Sequence, residues 1–136
     1  MTRPVHDGPP ASVLVVDDDP RARKLMRVIL EHAGYRVALA EDGRSALVEL
    51  ASNPADCVIA DLMMPGMDGI ELVARVRREQ VDRPPRLVLL TAMDTAETRA
   101  AAAAAGADDV MTKPVDRRAL LDRLAALFDG ATGGGP

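Results

Sequence analysis

Five short runs rich in Val, Ile and Leu, separated by longer stretches of helical period, limit what this chain can fold into more than any other feature. The runs are Ser12 to Val16, Arg36 to Ala40, Asp56 to Ala60, Arg86 to Leu90 and Asp108 to Met111. Strands that are apolar throughout are covered on both faces, and strands that alternate with helices run parallel. The pattern predicts an α/β fold with a doubly wound, five-stranded parallel sheet and helices on both faces. At 136 residues and 48% apolar, the chain has enough core for one domain.

The first helix carries its own start and stop signals. Asp19 can cap it, Pro20 suits the first helical position, and Gly34 can supply the left-handed residue that ends it. Ala22, Leu25, Met26, Ile29, Leu30 and Ala33 fall on one face at helical spacing and are expected against the sheet, with Arg23, Lys24, Arg27 and Glu31 outward. Later helices are expected over Gly43 to Ser52, Met67 to Gln80, Asp94 to Ala105, where Gly106 can stop the alanine run, and Asp116 to Phe128. Residues 1–10 and 130–136, rich in Pro and Gly, are expected to be flexible segments around a domain spanning 11–129.

Composition removes several classes of function. Lys and Arg total 17 against 21 Asp and Glu, a formal charge of -4, so the basic excess needed for direct nucleic-acid binding is missing. Besides two His, Tyr35 and Phe128 are the only aromatic side chains, which leaves no platform for stacking bases or a flavin. Cys57 is alone and is expected to be a packing residue in a reducing compartment. No apolar run approaches a membrane span and residues 1–10 do not look like a signal peptide, so a cytoplasmic protein is expected.

In an open parallel sheet, ligands bind beyond the carboxyl ends of the strands, so the residue after each run is informative. Val16 leads into Asp17-Asp18-Asp19, Ala60 into Asp61, Leu90 into Thr91, and Met111-Thr112 into Lys113-Pro114. Singly, the Asp cluster could be a helix cap, Asp61 a turn residue, Thr91 a helix-entry hydroxyl and Lys113 a surface lysine. Their joint placement at consecutive strand ends argues against independent surface roles. Two carboxylates ~4 Å apart repel by roughly 4 kcal/mol at an effective dielectric near 20, so cations should compensate. Lys113 is one of only two lysines, with Lys24, and the remaining oxygen-rich pocket suits Mg²⁺ with several waters better than Ca²⁺ or zinc. A carboxylate beside such cations is set up for nucleophilic phosphoryl chemistry, with the isolated Asp61 as acceptor and Asp17 and Asp18 placed to hold the metal.

From about Ser12 to Phe128 the sequence resembles the receiver domain of bacterial two-component response regulators, with its chemotaxis members as the nearest pattern. The likeness is carried by Val13-Leu14-Val15-Val16-Asp17-Asp18-Asp19-Pro20, Asp61-Leu62-Met63-Met64-Pro65-Gly66-Met67-Asp68-Gly69, Leu90-Thr91-Ala92, Gly106-Ala107-Asp108-Asp109 and Lys113-Pro114. The resemblance implies a flavodoxin-like fold with strand order 2-1-3-4-5. It implies that Asp61 receives a phosphoryl group from a histidine kinase or histidine phosphotransfer protein, and that Asp18, Asp61 and the Met63 backbone carbonyl bind Mg²⁺, with Asp17 binding through water. Thr91, Lys113 and the Ala92 amide would hold the phosphoryl oxygens, and a cis peptide between Lys113 and Pro114 would turn the lysine inward. Phosphorylation would then switch contacts at the face made by the last helices, with a downstream protein or a second copy of the chain.

The chain departs from the family pattern where an aromatic switch residue usually stands, because that position is Val110; Val115 likewise replaces a frequent Phe. Three other readings stand beside the active switch. A haloacid-dehalogenase-like phosphatase would use Asp17 as nucleophile, but Arg21 stands where its motif expects Thr or Val. A flavodoxin-like cofactor binder would face its phosphate with three carboxylates. A degenerate receiver would serve only as an interaction module, although every phosphoryl-holding position is filled. Arg21, Arg23, Lys24, Arg27 and Val28 offer either a solvated helix face or a kinase-docking surface.

Overall fold

A computed structural model of the chain describes residues 11–79 and 82–133. Its strands are β1 (Ser12–Val16), β2 (Arg36–Ala40), β3 (Cys57–Asp61), β4 (Arg86–Thr91) and β5 (Asp109–Thr112). All pair in parallel in the order β2-β1-β3-β4-β5. Their order reverses at β1, with β2 on one side and β3 on the other, which opens the crevice of a doubly wound sheet between the ends of β1 and β3.

The helices are α1 (Pro20–His32), α2 (Gly43–Ser52), α3 (Gly69–Arg78), α4 (Ala96–Ala105) and α5 (Arg117–Gly133). Alternate strand residues point to opposite faces and divide the core in two. Leu14, Val16, Val58, Ala60, Leu87 and Leu89 pack with Ala46 of α2, Leu72, Val73 and Val76 of α3, and Ala102 of α4. On the other face Val13, Val15, Ile59, Val88 and Leu90 pack with Met26 and Leu30 of α1 and Leu120 and Leu124 of α5. Tyr35 and Phe128 close that second layer with ring centroids 5.8 Å apart. Cys57 is buried there as packing, and burial pushes its thiol pKa well up, so it is not a reactive thiolate.

Local chemistry accounts for the helix ends. Asp19 accepts from the Arg21 N–H and Gly34, at φ 102, takes the chain out of α1. α2 spans Gly43–Ser52 as expected, whereas α3, α4 and α5 start one or two residues later than the periodicity suggests, because Asp68, Thr95 and Asp116 are spent as caps, accepting from the N–H groups of Glu71, Thr98 and Ala119. Gly106, at φ 114, stops α4 as expected. At the sheet end remote from the crevice, Arg77 of α3 ties down the segments that lead into β4 and β5: it donates to the carbonyls of Gly106 (2.9 Å) and Pro85 (2.8 Å) and pairs with Asp108 (2.8 Å).

Three expectations need correction. Leu25 does not face the sheet; it is 62% exposed, because it lies at the edge of the apolar stripe whose centre runs through Met26 and Leu30. Arg23 does not point outward but is half-buried against the end of β1. The backbone of α5 continues to Gly133, past Phe128 where the periodicity ends it, since each added helical residue closes one more hydrogen bond once a helix exists. Residues 1–10 and 134–136, expected to be flexible, and Gln80, the expected end of the third helix, lie outside the described residues.

Candidate functional site

The polar residues that end four of the strands meet at one rim because the ladder registers align them. Val16 pairs with Ala60, Asp61 with Leu90, and Thr91 with Thr112, so Asp17, Asp61, Thr91 and Lys113 occupy consecutive corners of the crevice. Asp17, Asp61 and Thr91 are 5%, 7% and 1% exposed, whereas Asp18 lies open to solvent. Burial of three polar groups among apolar strands is costly unless each has a partner.

Those partners are present. Asp17 Oδ1 accepts from the Asp19 N–H at 2.9 Å, and Asp61 Oδ1 from the Met63 N–H at 3.3 Å. Lys113 Nζ stands 3.3 Å from Asp61 Oδ2 and 3.7 Å from Asp17 Oδ2. The Lys113–Pro114 peptide is cis, and the Lys113 N–H donates to the Thr91 carbonyl at 2.8 Å. The Thr91 hydroxyl accepts from the Met93 N–H (3.0 Å) and donates to the Met93 carbonyl (3.3 Å).

Carboxylate oxygens of Asp17, Asp18 and Asp61 lie within 4.8 Å of one another. This acidic cluster, with one lysine beside it, is short of positive charge and can accept a hard cation with oxygen ligands. The shortage is felt at Asp17, whose pKa is raised, first by burial and then by the charges of Asp61 and Asp18, against the Asp19 N–H and Lys113.

Sequence reasoning brought together Asp17, Asp18, Asp61, Thr91 and Lys113, and the structure gathers the same five at one rim. Ala92 is exposed beside Thr91 at the same rim. Of the methionines, Met64 is buried in the core and Met67 packs against it, while Met63 is 68% exposed. Val110 is buried between the sheet and the helices of the α2–α3–α4 layer. The residue missed is Arg23, whose guanidinium donates to the Asp17 carbonyl at 2.7 Å and pins the loop that carries Asp17 and Asp18. A signal for it existed: helical side chains lean toward the helix N-terminus, so a long residue in the first turn can reach back to the strand end.

No helix among the described residues is long and apolar enough to cross a membrane. A family model described as the response regulator receiver domain matches residues 13–125. Response regulator MprA of Mycolicibacterium vanbaalenii is 43% identical over 123 residues, covering 90% of this chain and 52% of that protein. Transcriptional regulatory protein TrcR of Mycobacterium tuberculosis is 38% identical over 122 residues, 90% of this chain and 47% of its own length. The chain thus spans about half the length of the curated relatives it matches. Among solved structures, chemotaxis protein CheY4 of Vibrio cholerae superposes with a TM-score of 0.81 at 34% identity, covering 85% of this chain and 97% of that one. The receiver domain of Francisella response regulator 1452 does so with a TM-score of 0.81 at 30% identity, covering 89% and 98%. Fold, rim and sequence converge on one assignment: the chain belongs to the response regulator receiver domain family of two-component signalling.

Proposed function

We propose that this domain accepts a phosphoryl group on Asp61 from a histidine kinase or histidine phosphotransfer protein in the cytoplasm, and that the modification switches its protein contacts. The observation that carries this reading is Lys113 Nζ within 3.7 Å of two buried carboxylates from different strand ends, with Asp18 completing an acidic cluster. The donor set fits Mg²⁺, which Asp17, Asp18, Asp61 and the Met63 carbonyl would hold. When bound, the ion supplies positive charge that offsets the transferring group and its carboxylate surroundings.

An Asp61 carboxylate oxygen attacks the donor's phosphorus. The O–P bond forms as the P–N bond to the histidine breaks, and the electron pair leaves on the imidazole nitrogen. Lys113 pairs with a phosphoryl oxygen, while the Thr91 hydroxyl and the Ala92 N–H donate to the others. Hydrolysis reverses the modification when water attacks the same phosphorus, releasing inorganic phosphate and restoring the carboxylate. In this sense the domain assists its own phosphorylation and dephosphorylation without acting on a separate substrate.

Intact mass after incubation with acetyl phosphate and Mg²⁺ tests the reading, beside Asp61→Asn, Asp17→Asn and a chelated control. One phosphoryl gained by the parent with Mg²⁺ and lost in Asp61→Asn is expected. Gain that persists in Asp61→Asn and vanishes in Asp17→Asn would instead favour the phosphatase-like assignment.

A further inference from the structure

Thr91 belongs to a polar network that extends past the acidic crevice. Its hydroxyl has one proton to give, and that proton now goes to the Met93 carbonyl. A phosphoryl oxygen on Asp61 would compete with Met93 for it. Where the Met93 backbone stands is fixed by the next residue, whose carboxylate is held on two sides. Asp94 pairs with Arg99 of α4 through Nε–Oδ1 at 2.6 Å and Nη2–Oδ2 at 2.9 Å, and accepts from the Thr112 hydroxyl at 2.8 Å. Thr112 is the register partner of Thr91 and the residue before Lys113. The Arg99 and Thr112 hydrogen bonds hold the Asp94 carboxyl below the usual carboxylate range, so it is ionised and fully engaged at neutral pH.

We propose that Asp94 is a positioning residue for the phosphoryl site: by clamping the loop between β4 and α4 to Thr112 and Arg99, it keeps Met93 on the Thr91 hydroxyl and sets how readily that hydroxyl turns to an anion on Asp61. The inference rests on the phosphoryl-acceptor reading of the site. It also gives the movement of Thr91 a route to α4 and β5 that needs no aromatic ring at position 110, since Arg99 lies in the first turn of α4 and Thr112 ends β5. Opening the clamp lowers the cost of turning Thr91, so a phosphoryl analogue should bind the opened variant more tightly.

Beryllofluoride with saturating Mg²⁺, titrated calorimetrically, is the probe. Asp94→Ala and Thr112→Val are expected to bind it about 3- to 10-fold more tightly than the parent, as expected for removing a bias toward the resting arrangement. Thr112→Ser, which keeps the hydroxyl, is expected to match the parent, and Mg²⁺ alone to bind all four proteins alike. A merely structural clamp would lower the melting temperature of the variants without tightening the analogue. Unchanged or weaker beryllofluoride binding in both Asp94→Ala and Thr112→Val, with the parent binding, overturns the inference and leaves the acceptor reading standing. Parent binding no better than that of Asp61→Asn overturns the acceptor reading and this inference with it.

Discussion

Lys113 and Asp61 face each other across the rim of the sheet, Nζ 3.3 Å from Oδ2, and the same ammonium lies 3.7 Å from Asp17. One cation therefore offsets two carboxylates from different strands, in the space where a divalent ion and a phosphoryl group would both sit. Lys113→Met separates the two demands. Without the ammonium the cluster is more negative, and Mg²⁺ is expected to bind about 3- to 10-fold more tightly, on the order of 1 kcal/mol for a partly screened charge. Beryllofluoride, an anion that loses its partner, is expected to bind at least about 10-fold more weakly. Calorimetry with each probe checks both signs; weaker Mg²⁺ binding would mean that the lysine orders the carboxylates rather than competing with the metal.

Asp17 carries the cost of the crowded rim. Burial, then the charges of Asp61 and Asp18, raise its pKa above 3.8, so the folded chain holds this proton to higher pH than the unfolded chain does. Its contribution to stability is therefore most favourable below the unfolded value and declines as pH rises through the folded pKa. At neutral pH the ionised carboxylate is a liability. Asp17→Asn, which can still accept from the Asp19 N–H, is expected to raise the melting temperature of the metal-free protein by about 2–5 °C at pH 7. At pH 3 the gain should largely vanish, and the stabilisation that Mg²⁺ gives at pH 7 should shrink in the variant. A lower melting temperature in Asp17→Asn at pH 7 would contradict this account.

On α1, Leu25 and Val28 are 62% and 55% exposed between Arg21, Lys24 and Arg27. Apolar side chains ringed by cations suit a protein partner, and a kinase or phosphotransfer protein is the partner that the proposed function requires. Val28→Glu puts a carboxylate into the apolar patch and offsets the cations around it, without touching the crevice. Transfer from a phosphohistidine protein is expected to slow about 10-fold or more, while labelling by acetyl phosphate stays at the parent rate. Equal rates from both donors in variant and parent would remove α1 from the docking surface.

The sheet was legible because parallel strands covered on both faces leave nearly continuous apolar runs, and the rim because polar residues stand where those runs stop. Strand ends slipped by a residue for the same reason: Asp61, Thr91 and Thr112 look like loop residues yet still pair in the ladder. Leu25 was misplaced because residues advance about 100° around a helix, and an apolar residue at the stripe's edge reads like one at its centre. The engagement of Arg23 with the Asp17 carbonyl and of Asp94 with Thr112 depends on the path of loops, which periodicity does not describe. Asp94 stood in the expected start of α4, and only the capping of that helix by Thr95 frees its carboxylate for β5.

Gly66 in the loop after Asp61 and Gly69 at the start of α3 separate packing from conformation. A Cβ on Gly69 would sit 2.7 Å from the Asp61 carbonyl oxygen, 2.8 Å from Leu62 Cα and 2.8 Å from Leu89 Cδ2. Two of these atoms are backbone that cannot swing aside, and the Gly69 N–H also closes the loop by donating to the Leu62 carbonyl at 2.9 Å. Gly66 has nothing within 4 Å but holds φ at +78°. Gly69→Ala is thus expected to cost about 3 kcal/mol through overpacking and, by pushing on the Asp61 backbone, to weaken beryllofluoride binding. Gly66→Ala is expected to cost about 1 kcal/mol through conformation alone and to leave that binding near the parent value. Denaturant midpoints and analogue titrations on the two variants check the pair. A Gly69→Ala protein as stable as the parent would show that the loop can shift away from Asp61, and the close approach of α3 to β3 would then not be what fixes the Asp61 backbone.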